Sequence, residues 1–200
     1  MQRTTPVLEG QHVRLTPLAE EHIQPLWQVA QHADIWRYMP FDVSTRERFE
    51  AYLTSFIEDA ARGRVMPFAT QRTGSTLEVV GATSFLEIVP AHRRLEIGAT
   101  WITPEHQRSP VNTEAKLLQL KHAFEVMACN RVEFKTDSLN ERSRNALKRI
   151  GAREEGTFRN HMVMPDGRIR HSTWFSITRE EWPEVEAALQ RRLSTTVGKQ

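Results

Sequence analysis

The sequence predicts an α/β protein of the α+β type, in which helices flank a mixed, mostly antiparallel central sheet of about seven strands. Two strand-to-helix units, residues 95–127 and 131–151, lie in the second half of the chain. Elsewhere, runs of β-branched and aromatic residues alternate with turn formers, as in antiparallel hairpins. Because 200 residues with 39% hydrophobic content are enough for one core, we expect a single domain over residues 1–200.

The N-terminal third predicts one strand and two helices. HVRLTPL alternates as a strand does, and EEHIQPLWQVA is amphipathic, with Pro25 in or near its first turn. Ser44 and Glu47 have the spacing of a capping box ahead of a second helix. The apolar stripe of that helix comprises Phe49, Leu53, Phe56 and Ile57, and Gly63 ends the run.

The middle of the chain predicts an antiparallel meander. MPFATQR, LEVVGATSFLEIVP and LEIGATWI have the composition of strands, and the turn formers RTGS and AHRR separate them. Three neighbouring strands are therefore expected from this segment.

The C-terminal part predicts a hairpin followed by a helix. Asp166 and Gly167 supply the positive φ of a tight turn between EEGTFRNHMVM and RIRHSTWFSI. EEWPEVEAALQRRL has a helical pattern, and residues 193–200 are expected to form a loose tail.

The first strand-to-helix unit runs from LEIGATWI, through the loop TPEHQRSPVN, into a helix over residues 113–127. The pattern places Lys116 away from the core on this helix. Its core face comprises Leu117, Leu120, Phe124 and Met127.

The start of this helix has the features of an anion site. Unpaired N–H groups and the positive end of the helix dipole meet there, with Asn112 as the expected N-cap and Arg108 as a positive charge. An ordinary strand–loop–helix connection has the same appearance, so this loop alone does not decide whether a phosphate binds.

The second unit strengthens the case for a site. RVEFKTD alternates as a strand, and Asn140 is placed to cap the helix that follows. Gly151 stands where a glycine ends a helix. One face of this helix comprises Ser143, Ala146, Leu147 and Ile150, of which only Ser143 is polar.

Composition narrows the functional classes. Cys129 is the only cysteine, which excludes an internal disulfide or a cysteine-based metal site and fits a cytoplasmic protein. The histidines show no paired metal-ligand spacing, so we expect no metal. No apolar run is long enough to span a bilayer, and a net charge of +2 without a nucleic-acid motif predicts neither membrane nor nucleic-acid binding.

Four segments together resemble the GNAT acetyltransferase superfamily, and within it the branch that acetylates the N-terminal alanine of ribosomal proteins. They are EIGATWI, the loop and helix QRSPVNTEAKLLQLKHAFE, RVEFKTDSLNERSRNALKRIGA, and EEGTFRNHMVMPDGRIRHSTWFSI. The resemblance extends from VLEGQHVRLTPL to EWPEV, which is nearly the whole chain. It implies the GNAT fold with splayed central strands, and transfer of an acetyl group from acetyl-CoA to a primary amine by direct attack in a ternary complex.

The resemblance also implies where the cofactor lies. Acetyl-CoA enters the opening beside LEIGATWI, with its pantetheine arm bonded to the backbone of Ala99, Thr100, Trp101 and Ile102, and a main-chain N–H there polarises the thioester carbonyl. Its pyrophosphate meets the loop residues Gln107, Arg108, Ser109, Val111, Asn112 and Thr113. Asn140 bonds the pantetheine, and Ser143 lies near the sulfur.

Two departures from the family pattern bear on this assignment. The two small positions of the pyrophosphate loop hold Pro110, which has no N–H, and Asn112, which has a side chain. Leu147 stands where many members have a tyrosine that protonates the leaving thiolate, so Ser143 is the expected acid. A non-catalytic module that senses CoA or binds a partner therefore remains an alternative.

The acceptor side is less defined. Attack needs a neutral amine, which favours an α-amino group with a pKa near ~8 over a lysine near ~10.4. Glu87, Glu96 and His171 are candidate bases, and each is equally compatible with an ordinary surface role. Trp36, Tyr38 and Phe85 are the expected pocket residues, and the first two helices are expected to flank the cleft. The acceptor is a peptide N-terminus or a small-molecule amine, and a homodimer stays open.

Overall fold

A computed structural model describes residues 4–197 as eight strands in one sheet with six α-helices around it. The strand order is β1-β2-β3-β4-β5-β6-β8-β7. The strands are β1 (Leu8–Glu9), β2 (Val13–Pro17), β3 (Met66–Arg72), β4 (Glu78–Val89), β5 (Arg94–Ile102), β6 (Arg131–Asp137), β7 (Arg153–Val163) and β8 (Ile169–Thr178). The helices are α1 (Ile23–Val29), α2 (Ala33–Trp36), α3 (Arg46–Ala61), α4 (Pro110–Lys121), α5 (Glu141–Arg149) and α6 (Trp182–Val197).

The mostly antiparallel sheet and the meander of β3, β4 and β5 are confirmed. The eighth strand is the two-residue β1, which is too short to show an alternating pattern in the sequence. The single parallel pair, β5 with β6, sits at the centre. It ends at Glu96 opposite Glu133, and β6 then continues alongside β8 as far as Asp137. The two central strands therefore diverge beyond Glu96, as the resemblance implied.

Each face of the sheet has its own core. One core lies between the sheet and α4, α5 and α6, where Leu95, Phe85 and Phe134 meet Leu120 and Phe124. The second core lies under α1, α2 and α3 and is rich in aromatic rings. It includes Phe49, Tyr52, Leu53, Ala82 and Trp101.

Predictions of where two helices begin need correction. The N-cap of α3 is Thr45, whose hydroxyl accepts from the Arg48 N–H, instead of Ser44, whose hydroxyl bonds to Asp42. α4 begins at Pro110 with Ser109 as its N-cap, three residues before the predicted start. Proline suits the first helical position, because its fixed φ matches the helix and its missing N–H would have no partner there.

Two helix ends also differ from expectation. α4 passes into a π-helical turn at His122–Val126, where a backbone N–H bonds to the carbonyl five residues earlier, as Met127 does to His122 at 2.9 Å. α6 extends to Val197, so residues 193–197 of the expected tail are helical, and residues 198–200 lie outside the described part of the chain. Among residues 4–197, no helix is long and apolar enough to cross a membrane.

Candidate active site

The backbone of β5 is distorted at the place where it leaves β6. Ser84 pairs with Gly98 and Ala82 pairs with Trp101, so the single residue Thr83 of β4 lies opposite both Ala99 and Thr100. This is a β-bulge, and Ala99 adopts a φ of 47°, which is unusual for a residue with a side chain. Such strained backbone persists only where its surroundings hold it. The bulge therefore presents irregular main chain at the mouth of the opening.

The four β5 residues expected at the cofactor face different surroundings. Ala99 and Thr100 are half-buried, whereas the side chains of Trp101 and Ile102 are buried. Trp101 packs against Trp36 in the second core, with 5.1 Å between ring centroids. The Ile102 carbonyl accepts a hydrogen bond of 3.0 Å from the Gln107 side chain. At Trp101 and Ile102 the side chains are thus enclosed in the protein, and only the backbone could meet a ligand.

The start of α4 offers fewer free N–H groups than the sequence suggested. Pro110 has none, and the Ser109 hydroxyl accepts from the Val111 N–H at 3.3 Å. The Thr113 N–H lies four residues after the N-cap Ser109, which is the position whose N–H donates the first hydrogen bond of a helix to the N-cap carbonyl. Asn112 keeps a backbone N–H in the first turn, and its side-chain Oδ1 is buried without a partner among the described residues. The backbone N–H of Asn112 is therefore the donor that this helix start leaves for a ligand.

A bridge joins the loop before α4 to the start of α5. The Gln107 amide donates to the Ile102 carbonyl, and its oxygen accepts from the Arg142 guanidinium at 2.8 Å. Arg108 is exposed and adopts a φ of 62°. Two cations, Arg108 and Arg142, thus stand at the rim of the opening. Sequence reasoning missed Arg142, because a charged residue in the first turn of a helix has the appearance of solvated surface.

The N-cap of α5 is confirmed, and its geometry fixes Ser143. The Asn140 Oδ1 accepts from the Ser143 N–H at 3.0 Å, so the Ser143 hydroxyl remains for other partners. The preceding turn is held by the buried Asp137, which accepts from the Leu139 N–H at 3.0 Å and forms an ion pair with Arg168 at 2.6 Å. Arg168, in the turn between β7 and β8, therefore supports the turn that orients Asn140 and Ser143.

Glu96 is the candidate base at the opening itself. It is 5% exposed, occupies the last β5–β6 pair, and forms an ion pair of 3.0 Å with Lys135 of β6. Burial raises the pKa of its carboxyl above the usual value, and Lys135 partly offsets that effect. Lys135 in turn lies 5.5 Å from the centre of the Trp174 ring. Glu96 thus combines a raised proton affinity with a fixed position.

The other two candidate bases lie elsewhere. Glu87 is exposed at an irregularity of β4, with a φ of 45°, and its charge contributes to raising the Glu96 pKa. His171 is exposed, and its Nδ1 accepts from the Asn160 N–H of β7 at 2.8 Å. With His161 it lines an open cavity of about 800 Å³ beside the β7 edge. The fold therefore brings Glu87 near Glu96 and keeps His171 on a separate strand.

Two of the three expected pocket residues belong to cores. Phe85 is fully buried and packs edge-on against Phe68, so its side chain cannot line an acceptor pocket. Trp36 packs against Trp101, and its Nε1 donates to the Ala30 carbonyl at 2.9 Å. Phe85 was misassigned because a strand with both faces buried gives no alternation to show which core a side chain enters.

The Tyr38 carbonyl takes part in a polar network with side chains of β7 and β8. This carbonyl accepts from Arg170 at 3.4 Å, and Arg170 also donates to the Ser172 hydroxyl at 2.9 Å. The Ser172 hydroxyl lies 3.0 Å from Nδ1 of His161, whose pKa is lowered by burial and by the nearby cations. The sequence predicts the hairpin of β7 and β8 but does not show which side chains of the two strands lie on the same face. Arg170 and His161 were therefore not identified as candidate site residues.

Lys116 is the largest departure from the predicted pattern. It is 5% exposed and lies on the core side of α4, not on its solvent face. Its spacing of four residues before Leu120 could have indicated this orientation. Within residues 4–197, no cluster of histidine, cysteine and carboxylate side chains could hold a metal ion.

Comparisons with known proteins agree with this geometry. A family model described as an acetyltransferase (GNAT) domain matches residues 12–153. YdaF of Bacillus subtilis (strain 168), named as a candidate ribosomal N-acetyltransferase, is 31% identical over 102 residues, which are 51% of this chain and 55% of YdaF.

Two solved structures share the fold. One, a candidate acetyltransferase from T. thermophilus, is 36% identical with a TM-score of 0.86 and covers 96% of this chain and 100% of its own. The other, Mycobacterium smegmatis RimJ in complex with CoA-disulfide, is 23% identical with a TM-score of 0.78, covering 90% of this chain and 88% of its own. Because the family model spans well over half of the sequence, the chain belongs to the GNAT acetyltransferase family and is an acetyltransferase.

Proposed function

We propose that this protein transfers the acetyl group of acetyl-CoA to a primary amine, by direct attack within a ternary complex. The observation that carries the proposal is the opening between β5 and β6, where β5 has the bulge at Ala99 and Thr100 and where Gln107, just before α4, joins the Ile102 carbonyl to Arg142 at the start of α5. An extended ligand entering there meets backbone along one side and two helix N-termini along the other. These are the groups that suit a pantetheine arm ending in a pyrophosphate.

The cofactor fits the groups that this chain presents. The backbone of β5 from Ala99 to Ile102 accepts and donates to the pantetheine amides, and a bulge N–H polarises the thioester carbonyl. The backbone N–H of Asn112, in the first turn of α4, is a donor for the pyrophosphate, and Arg108 and Arg142 add positive charge. These cations compensate for the N–H groups that Pro110 and the Ser109 cap remove from the loop.

Acetyl transfer requires two proton transfers, one from the attacking amine and one to the departing thiolate. The neutral amine attacks the thioester carbonyl carbon, and Glu96 takes the proton that the attacking nitrogen loses, directly or through water. Its raised pKa brings it closer to neutral pH, where a base is most effective. The carbon–sulfur bond then breaks, and the Ser143 hydroxyl passes a proton to the departing CoA thiolate and regains one from water, while Glu96 releases its proton to water. The products are an amide and free CoA.

The acceptor class is a peptide N-terminal α-amino group or a small-molecule amine. The name of YdaF supports the first, since that protein is described as a candidate ribosomal N-acetyltransferase. Glu96 also fits an α-amino group, because such an amine needs only a modest base. The described contacts of the site are compatible with a peptide and with a smaller amine.

The test is release of free CoA thiol from acetyl-CoA in the presence of a panel of peptides and small amines. We expect amine-dependent thiol release that Glu96→Gln reduces, since this change keeps the shape of the side chain and removes its proton affinity. Glu87→Gln serves as the matched control on the exposed carboxylate nearby. Cofactor binding without thiol release for any amine would favour a non-catalytic CoA-sensing or partner-binding module instead.

A further inference from the structure

A buried lysine lies directly against the bulge of β5. The Nζ atom of Lys116 donates to the hydroxyls of Thr100 at 2.9 Å and Thr83 at 3.2 Å, and to the amide oxygen of Gln119 at 3.0 Å. Thr83 is the one β4 residue opposite the two bulge residues, and Thr100 is one of those two. All three donors of the ammonium group are thus committed at the irregular point of the sheet.

This arrangement is costly for the fold. Lys116 is 5% exposed, and each of its three hydrogen-bond partners is neutral. A buried charge without an opposite charge destabilises the folded state, which is why burial lowers the pKa of Lys116 to about 7. Lys116 in its charged form therefore lowers the free energy of unfolding of the protein.

The three oxygen atoms do not need the lysine. The hydroxyls of Thr83 and Thr100 lie 2.7 Å apart, and the Thr83 hydroxyl donates to the Gln119 oxygen at 3.2 Å. Without the ammonium group, Thr100 can donate to Thr83 while Thr83 donates to Gln119, so every oxygen keeps a partner. The need of these three buried oxygens for hydrogen-bond donors therefore does not explain why a lysine is present at position 116.

What the lysine adds is a fixed conformation for the bulge. Ala99, beside Thr100, has a φ of 47°, and a strained residue of this kind keeps its conformation only when neighbouring contacts hold it. Lys116 connects α4, β4 and β5 at this residue pair. The same backbone is the part of β5 that the proposed function places against the thioester.

We propose that Lys116 is a positioning residue for acetyl transfer, which acts through Thr100 to hold the Ala99–Thr100 bulge in the shape that meets the thioester carbonyl. The inference rests on the proposed function. It predicts that loss of Lys116 impairs the chemical step and leaves CoA binding nearly intact, because the loop contacts proposed for the pyrophosphate do not involve Lys116, which hydrogen-bonds to β5 at the Thr100 side chain and not at the backbone proposed for the pantetheine.

The test compares Lys116→Met with Lys121→Met, a control at an exposed lysine of the same helix. We expect Lys116→Met to lower kcat about tenfold while the dissociation constant of desulfo-CoA, measured by calorimetry, changes less than about twofold. Thr100→Val should lower kcat similarly, Thr100→Ser, which keeps the hydroxyl, should be less impaired than Thr100→Val, and the double variant of Lys116→Met and Thr100→Val should be no slower than the worse single variant. Unchanged kcat in Lys116→Met would overturn the inference.

A second readout does not depend on activity. We expect the amide resonances of Ala99 and Thr100 to shift in Lys116→Met, and their hydrogen exchange to accelerate, while Lys121→Met leaves both unchanged. Unshifted bulge amides would refute the positioning role even in an active enzyme. Shifted amides in a protein that releases no thiol with any amine would instead place the failure in the proposed function.

Discussion

Replacement of Lys116 by methionine should change how the stability of the protein depends on pH. The Lys116 pKa falls from 10.5 to about 7 on burial, so between these values the unfolded chain binds more protons than the folded one. Folded wild type therefore gains stability as the pH rises above 7. Below pH 7, both states carry the proton and the full penalty of the buried charge persists.

The magnitude follows from the size of the shift. One pKa unit corresponds to about 1.4 kcal/mol, so titration from pH 7 to pH 9 should return roughly 2 kcal/mol to the wild type. Methionine carries no charge, so Lys116→Met lacks this gain. The groups in contact with the ammonium, from β4, β5 and α4 itself, are uncharged, and the buried carboxylate of β5, Glu96, is paired with Lys135.

The assay is urea unfolding of wild type, Lys116→Met and Lys121→Met at pH 6, 7, 8 and 9. The difference in unfolding free energy between Lys116→Met and wild type should favour the variant most at pH 6 and should decline by roughly 2 kcal/mol between pH 7 and pH 9. Lys121→Met should run parallel to the wild type. Parallel curves for Lys116→Met would refute the conclusion that the buried ammonium lacks an opposite charge.

Three further changes test other parts of the structure. Gly10→Ala should lower Tm by several degrees, because a Cβ at Gly10 would lie 2.4 Å from the Glu114 carboxyl carbon and disturb the bonds that this carboxylate accepts from the Gln11, His12 and Val13 N–H groups; an unchanged melting curve would show that the turn relaxes freely. Asn112→Asp should weaken acetyl-CoA binding by about tenfold in calorimetry, since it places a negative charge beside the pyrophosphate; equal affinity would remove Asn112 from the site. Ser143→Ala should lower kcat by about 100-fold or more with a smaller change in the KM for acetyl-CoA, because its N–H cap stays intact and only the hydroxyl is lost; wild-type turnover would return Ser143 to a structural role.

The sheet could be predicted because its strands have clear local signals. The seven longer strands alternate or carry β-branched residues between turn formers, and Gly167 and Gly151 have the positive φ values that their places in a turn and a helix end require. The Asn140 cap followed from residue type and position alone. These features depend on contacts within a few residues, which a single sequence displays.

The site depended on contacts that the sequence does not display. The bulge at Ala99 arises from the register between β4 and β5, and the residue types in these strands do not predict it. The N-cap of α4 is Ser109 and not Asn112, because Pro110 favours the first helical position. Lys116 and Phe85 were misplaced because an amphipathic pattern records average polarity, whereas the packing of α4 over β4 and β5 decides which side chains are enclosed.

The most direct test of the account is a calorimetric titration of the purified protein with desulfo-CoA and with acetyl-CoA. Every proposed step requires the cofactor in the β5–β6 opening, and the altered loop at Pro110 is the feature most able to prevent this. We expect saturable binding of one cofactor per chain, weakened by Asn112→Asp and by Arg142→Ala. Absence of binding at millimolar cofactor would contradict the account, since neither the bulge, Glu96 nor Ser143 would then have a thioester to act on.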